Sequence, residues 1–365
     1  MPTMNRTDGP DPEYKAIARS LIRWHRAHRR DLPWRAAWGE HPDAYRVLVS
    51  EVMLQQTQVT TVIPYFERFL SAFPTIVELA EAEPDAVMRL WQGLGYYRRA
   101  QRLHACAKAV VERHDGRLPA GYEELLCLPG LGAYTAGAVA SIAFGVRVPS
   151  VDGNVSRVVS RLTGVESPID STVGKREVEG RVLALLPTKR PGMLNESLME
   201  LGATVCSPRD PKCLLCPVSR WCVARATGRT AELPVKGRVK DPVRVEHHVL
   251  VVERGGRVLA RRRGETGLWA GMWELPTLEE DGVTAEVLCD WAEEAFGLRV
   301  EVDRVTSFEH RTTHRLITFV VWRARRVAGR LRRASGRWCG DATDLGMAKP
   351  MVRVMGALEE QSPRR

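Results

Sequence analysis

Cys206, Cys213, Cys216 and Cys222 follow one another with the spacing C-x6-C-x2-C-x5-C. Whatever fold the chain adopts must bring these four thiols together or leave them reactive. Thiolates gathered in one short segment, while Cys106, Cys127, Cys289 and Cys339 lie scattered, are metal ligands before anything else. Structural zinc sites usually combine two close Cys pairs, or a Cys pair with a His pair. Here one close pair is flanked by two single cysteines, with no His between them. Four thiolates without His suit a [4Fe–4S] cluster better than zinc, which remains the alternative. A disulfide framework fits poorly, because a chain of 365 residues needs no staples and shows no secretory signal.

Length and charge narrow the class. The chain has material for two or three domains with real cores. No apolar run approaches the roughly 18 residues of a membrane span, so the expectation is a soluble, cytoplasmic monomer. The net charge of +10 favours a polyanionic partner, since phosphate contacts dominate nucleic-acid affinity. An arginine bias that merely solvates the surface would give the same balance.

The punctuation of the chain suggests two bodies. Residues 1–12 read as a disordered terminus. Residues 13–222 are helical in texture, with apolar residues at helical spacing in Ile17, Leu21 and Trp24 and in Val178, Val182 and Leu185. Residues 223–244 read as a linker rich in Gly, Pro and charge. Residues 245–350 then show β-branched runs, His248–Val252 and Leu316–Trp322, with one helical stretch from Ala285 to Phe296. Residues 351–365 read as a tail. The fold expected is a mainly α body bearing a cluster loop, followed by a smaller α+β domain.

Three features of the helical body carry chemistry. Glu51 lies in V-L-V-S-E-V-M-L-Q-Q-T-Q, flanked by apolar residues on a helix that its neighbours would bury. An ionised carboxylate there is costly, so its pKa should rise, as a general acid requires. A core-edge Glu paired with Arg46 is the competing reading. Gln55, Gln56, Thr57 and Gln58 follow, a polar row that a purely structural helix would not choose. Second, L-P-G-L-G-A-Y-T-A (Leu128–Ala136) places Gly130 and Gly132 between two helical stretches. Such a helix-hairpin-helix grips a DNA backbone through its N–H groups without reading sequence, although Pro-Gly-x-Gly alone is often only a turn. Third, V-D-G-N-V (Val151–Val155) puts Asp152 and Asn154 at a loop-to-helix junction, where an Asp N-cap would suffice to explain them.

Taken in order, L-P-W-R (Leu32–Arg35), S-E-V-M-L-Q-Q-T-Q-V, L-W-Q-G-L-G-Y-Y, L-P-G-L-G-A-Y-T-A-G, V-D-G-N-V and the four cysteines resemble the MutY-type adenine DNA glycosylases of the helix-hairpin-helix superfamily. The resemblance implies base-excision repair: removal of adenine mispaired with 8-oxoguanine or guanine in double-stranded DNA, by an enzyme carrying a [4Fe–4S] cluster. It assigns Glu51 and Asp152 to catalysis, with Tyr134 and Asn154 in support. Trp34, Arg35 and Glu196 would line the adenine pocket. Gln55, Gln56, Leu94, Tyr96, Gly130 and Gly132 would meet DNA. Glu51 would be protonated and Asp152 ordinary in pKa. The related endonuclease III type cuts the strand with a lysine at the position of Tyr134, and a phenol cannot form a Schiff base.

The C-terminal part resembles the Nudix-like module of the same family, whose role is recognition of 8-oxoguanine. D-W-A-E-E-A-F-G-L keeps only part of the acidic pattern needed for Nudix hydrolysis. The recognition loop, usually Phe-Ser-His, reads Thr312-Thr313-His314 here, so Thr313 and His314 are the expected contacts. Arg323 to Arg337, with seven arginines and no acid, would either touch phosphates or form a solvated strand.

Overall fold

The computed structural model describes residues 12–237, 241–333, 335–340 and 345–361. Residues 1–11 of the expected disordered terminus, residues 238–240 of the expected linker and the last four residues lie outside the described residues. Contacts divide the chain into two compact units, Met1–Ala82 with Arg102–Arg238, and Glu83–Gln101 with Val239–Arg365. The helices preceding the second unit's strands are α1 (Pro12–His28), α2 (Ala44–Leu54), α3 (Val59–Ala72), α4 (Ile76–Glu81), α5 (Pro84–Trp91), α6 (Arg98–His114), α7 (Tyr122–Leu126), α8 (Ala133–Ala138), α9 (Gly153–Thr163), α10 (Thr172–Leu185), α11 (Pro191–Thr204) and α12 (Val223–Ala226).

The apolar spacing read from the sequence becomes the core of the first unit. Ile17 and Leu21 sit one turn apart on the buried face of α1, and Val178, Val182 and Leu185 do the same on α10. They pack with Val155 and Val159 of α9 and Leu198 of α11. Burying one such side chain fully is worth roughly 1.5–3 kcal/mol. α11 lies against both α1 and α9, which carries its polar residues toward the segment before α9. Ends are set by local chemistry: Asp152 caps α9 by accepting from Val155 N at 2.7 Å.

The expected linker begins too early. α12 packs on α9 and Ala224 is fully buried. The chain then stays on the helical unit, with Ile169 N donating to Val235 O at 3.0 Å. A second boundary also moves. Residues 83–101, expected inside the helical body, cluster with the C-terminal unit, where Gln101 Nε2 donates to Ala270 O at 2.8 Å.

The second unit is α+β. One sheet has the order β5 (Thr277–Leu278), β1 (Val243–Val251), β7 (Arg315–Gly329), β6 (Leu298–Arg311), in which β1 and β7 are parallel and the other pairs antiparallel. β2 (Glu253–Arg254), β3 (Arg257–Arg262) and β4 (Trp273–Glu274) form the second, and β8 (Arg337–Cys339) pairs with β3. Side chains alternate along β1: Val249 and Val251 join one core with Phe319, while Leu250 and Val252 join another with Leu288 and Phe296 of α13 (Ala285–Phe296). The segment expected as a tail is instead helical: α14 (Lys349–Gln361) buries Met351 and Val354 in the first of these cores. Among the described residues no helix is long and apolar enough to cross a membrane.

Candidate active site

Glu51 occupies the buried middle of α2 and is 6% exposed. Arg46 does not pair with it; that guanidinium donates to Pro33 O at 2.8 Å and stacks over Phe66. The partner is Tyr134, whose hydroxyl donates to Glu51 Oε2. Burial pushes Glu51 up to about 7, partly opposed by that hydrogen bond. The Tyr134 hydroxyl is raised well above its ordinary value, chiefly by burial, so it stays a donor. Glu51 is therefore protonated in a large fraction of molecules at neutral pH.

Tyr134 is delivered by the hairpin between α7 and α8. Gly130 has φ +80°, and a Cβ there would meet Arg102 Cβ at 2.5 Å, so the turn requires glycine. Gly137, further along α8, lets the helix approach Pro149 O, which a Cβ would meet at 2.3 Å. This contact sets α8 directly against the segment leading to Asp152. Ser150 Oγ donates to Tyr134 O at 3.1 Å. Asn195, fully buried on α11, fixes the same segment by donating to Val148 O at 3.0 Å and accepting from Ser150 N at 3.3 Å.

Asp152 opens α9 and accepts from Asn154 Nδ2 at 2.9 Å as well as from Val155 N. Burial raises its pKa, while these donors and Arg157 act in the opposite direction. The expectation of an ordinary value is thus corrected: taking a carboxylate partly out of water costs more than its hydrogen bonds return. Arg157 Nη2 donates to Asn154 Oδ1 at 2.7 Å, and its Nε to Cys206 O at 2.8 Å. Nothing in the sequence around Arg157 marks it; only its three-residue offset from Asn154 on a helix places them on one face.

Trp34, Arg35 and Glu196 line the same cavity of about 900 Å³ as Glu51, Asp152 and Tyr134. Trp34 packs edge-on against Phe66. Arg35 Nε lies 3.5 Å from Glu196 Oε1, and Arg35 Nη2 lies 2.7 Å from Glu200 Oε2. Burial raises Glu196 despite Arg35 and Arg29. Burial would raise Glu200 too, but Arg30 and Arg35 outweigh it and hold it below its ordinary value. Glu200 was not singled out by sequence. The signal available was its spacing of four from Glu196, one helical turn along the same face.

Gln55 donates to Thr135 Oγ1 at 3.2 Å and lines the cavity with Gln56, Gly130 and Gly132. Gln56 has φ +58° and Tyr96 φ +48°, left-handed conformations that cost a non-glycine residue energy and concentrate at functional sites. Tyr96 is 49% exposed. Leu94 departs from expectation: at 5% exposure its side chain belongs to the interior and has no face to offer DNA.

The four clustered cysteines line one small cavity between α9 and the turns Cys213–Leu215 and Ser219–Trp221, together with Arg161, Lys212 and Arg225. Arg161 Nη1 donates to Cys206 Sγ at 3.4 Å. Three cations around four thiols suit an anionic thiolate-bound group. Among the described residues no set of three His, Cys, Asp or Glu side chains is arranged around a single metal ion.

In the second unit Thr312, Thr313 and His314 form the turn of the β6–β7 hairpin. Thr312 Oγ1 accepts from Arg315 N at 3.0 Å, and Thr313 and His314 are exposed at its tip. The first arginines of the basic run are already paired: Arg323 with Glu253 at 2.7 Å, Arg325 with Asp303 at 2.8 Å and Arg326 with Glu301 at 3.2 Å. That half of the run is a solvated strand rather than a free phosphate surface. Glu293 and Glu294 of the partial Nudix box are exposed on α13.

A hairpin between helices set beside a cavity, with a carboxylate at the N-terminus of the next long helix, belongs to the helix-hairpin-helix class of base-excision repair proteins, and here the hairpin also presents Tyr134 to the buried Glu51. Residues 49–181 match the family described as HhH-GPD superfamily base excision DNA repair protein, and residues 247–357 match the NUDIX domain. The chain belongs to the adenine DNA glycosylase family. It is 43% identical to the adenine DNA glycosylase of Mycolicibacterium smegmatis, over 61% of this chain and 79% of that one. It is 38% identical to the adenine DNA glycosylase of Homo sapiens over 73% of this chain, and spans 58% of the length of that relative. Among solved structures it is similar to a thermostable thymine-DNA glycosylase, with 27% identity and a TM-score of 0.54, covering 60% of this chain and all of that one.

Proposed function

We propose that this chain excises adenine mispaired with 8-oxoguanine or guanine from double-stranded DNA, by hydrolysis that leaves an abasic site. The observation that carries the reading is the pairing of Glu51 with Tyr134 in the cavity that also holds Asp152. The glycosidic bond of a stacked adenine cannot be reached, so the nucleotide must leave the duplex and enter this cavity. Glu51, kept protonated by burial, donates to adenine N7 and makes the base a neutral leaving group. Asp152, whose donors Val155 N and Asn154 together with Arg157 counter the upward push of burial without cancelling it, stabilises in its ionised form the positive charge that develops on the sugar. Water attacks that sugar, and deprotonated Glu51 is placed to accept its proton. Trp34, Arg35 and Glu196 hold the base, Gln56 enters the stack near the lesion, and Tyr96 is a further contact to DNA. The exposed glycines Gly130 and Gly132 present backbone N–H groups to a phosphate.

The four thiols and their surrounding cations fit a [4Fe–4S] cluster, which when bound would hold the loop carrying Arg209 and Lys212. Thr313 and His314 read the oxidised base opposite adenine. The enzyme acts as a cytoplasmic monomer.

Single-turnover release of free adenine from a duplex with adenine opposite 8-oxoguanine tests the reading, with adenine opposite thymine as the control. Release from neither duplex sinks it. Equal release from both removes the mispair from its substrate. Metal analysis giving iron and sulfide supports the cluster, and one zinc without iron overturns it.

A further inference from the structure

Glu196 and Glu200 stand one turn apart on α11 and meet the same guanidinium, but their situations differ. Glu200 has no exposed side-chain surface. It accepts from Arg30 N at 3.3 Å, Arg30 Nε at 2.7 Å, Arg30 Nη2 at 3.1 Å and Arg35 Nη2 at 2.7 Å. Four donors on two oxygens use the acceptor capacity of a carboxylate, so Glu200 has nothing left for a substrate. It acts on the cavity only through the arginines it holds.

Arg35 is fixed from three sides. Beside the bond to Glu200, its Nη1 donates to Arg30 O at 2.8 Å and its Nε faces Glu196 at 3.5 Å. Each terminal nitrogen still has a second N–H. Glu196 keeps acceptor capacity, because its approach to Arg35 is long and its side chain is 19% exposed. The two groups with hydrogen-bonding capacity to spare are therefore Arg35 and Glu196, both lining the cavity that holds Glu51.

We propose that Glu200 is a positioning residue for base selection: it locks Arg35 so that Arg35 and Glu196 present one fixed donor–acceptor pattern to the 6-amino edge of the extruded purine. This rests on the adenine-excision reading above. The charge states agree with the geometry. Glu200 stays ionised because its arginines outweigh burial, whereas burial lifts Glu196 toward its neutral form. A carboxyl that can be neutral can donate to a ring nitrogen while accepting from an amino group; a permanently ionised one can only accept. An ion pair that merely held the segment after α1 to α11 would affect every base alike.

The test uses the full chain and two targets opposite 8-oxoguanine, adenine and unsubstituted purine, which lacks the 6-amino group. Glu200→Gln should slow single-turnover excision of adenine by about 100-fold, the scale of loss when a positioning group shifts by an ångström. The preference for adenine over purine should shrink by about 10-fold, since the fixed hydrogen-bonding pattern that distinguishes them is lost. Affinity for a duplex lacking a target base should be unchanged. Equal slowing of both bases, or no slowing, overturns the proposal. Should Glu200→Gln fail to fold, Glu200→Asp keeps the charge but shortens its reach, and must narrow the same preference. If the unaltered chain releases neither base, the excision reading fails, and binding then decides the inference. The gain in affinity for a duplex with non-cleavable 2′-fluoro-deoxyadenosine over one with a non-cleavable abasic analogue must fall in the variant. An unchanged gain overturns the positioning role.

Discussion

Asp152 and Cys206 are joined through two side chains: Asn154 donates to Asp152, and Arg157 donates both to Asn154 and to the Cys206 carbonyl. A carboxylate proposed to meet the sugar cation thus takes its orientation partly from the backbone of Cys206, the first of the four closely spaced cysteines. Arg157→Lys should slow the proposed excision by about 10-fold while leaving the metal content of the purified protein unchanged, because a lysine cannot fork between the two acceptors. Leaving Asn154 Oδ1 or Cys206 O unpaired should also lower stability by about 1–3 kcal/mol. Single-turnover kinetics and a denaturant melt check both parts. A normal rate with a lowered melt would make Arg157 a purely structural residue.

Glu51→Gln should abolish excision with duplex binding retained, since the amide cannot donate the proton. In the unaltered protein excision should decline as pH rises through about 7, where Glu51 loses its proton. The stability sign follows from the same shift. A carboxyl raised above its unfolded value contributes stability that is complete below the unfolded pKa near 4.5 and is lost as pH climbs through about 7. Glu51→Gln should therefore be the more stable protein at pH ~9, by up to about 3 kcal/mol. Melts at acid and alkaline pH read this directly; a difference independent of pH would mean that folding leaves the Glu51 pKa unshifted.

By the resemblance drawn from its motifs, Tyr134 stands where the endonuclease III type carries its lysine. Borohydride should trap little covalent protein–DNA adduct, and strand breakage should need added base. Tyr134→Lys should also remove the hydrogen bond to Glu51, so excision should weaken even if strand cleavage appears. Efficient trapping by the unaltered chain would place a nucleophilic amine elsewhere in the site.

Thr313→Ala with His314→Ala removes both exposed tips of the β6–β7 turn without touching the Thr312 bonds that shape it. Excision of adenine opposite 8-oxoguanine should suffer more than excision opposite guanine, because specificity is a difference of affinities. A ratio of the two rates unchanged by the double substitution would assign lesion reading to another surface.

Much of the helical unit was legible because its signals are local. Asp152 caps the helix that begins beside it, Gly130 of the hairpin has the left-handed, close-packed backbone that only glycine allows, and Val178, Val182 and Leu185 share a face by simple periodicity. Local patterns also gave β1, β7 and α13, where β-branched runs and a four-residue apolar spacing are intrinsic to the segment. They misplaced the linker and the tail, because burial of Ala224, Met351 and Val354 depends on what those short helices find to pack against. Leu94 failed for the same reason: exposure is not a property of a motif.

The sequence by itself determined the four thiols, the buried position of Glu51 in an apolar helix, and a phenol rather than an amine at position 134 of the hairpin. These follow from residue identity and spacing within one turn or one loop. Tertiary structure alone decided that Tyr134 rather than Arg46 meets Glu51, that Arg157 ties Asn154 to Cys206, and that Glu200 rather than Glu196 holds Arg35. Each of these links residues from different elements, and the cost of leaving a buried charge or donor unpaired selects the partner only after packing has brought the candidates within reach.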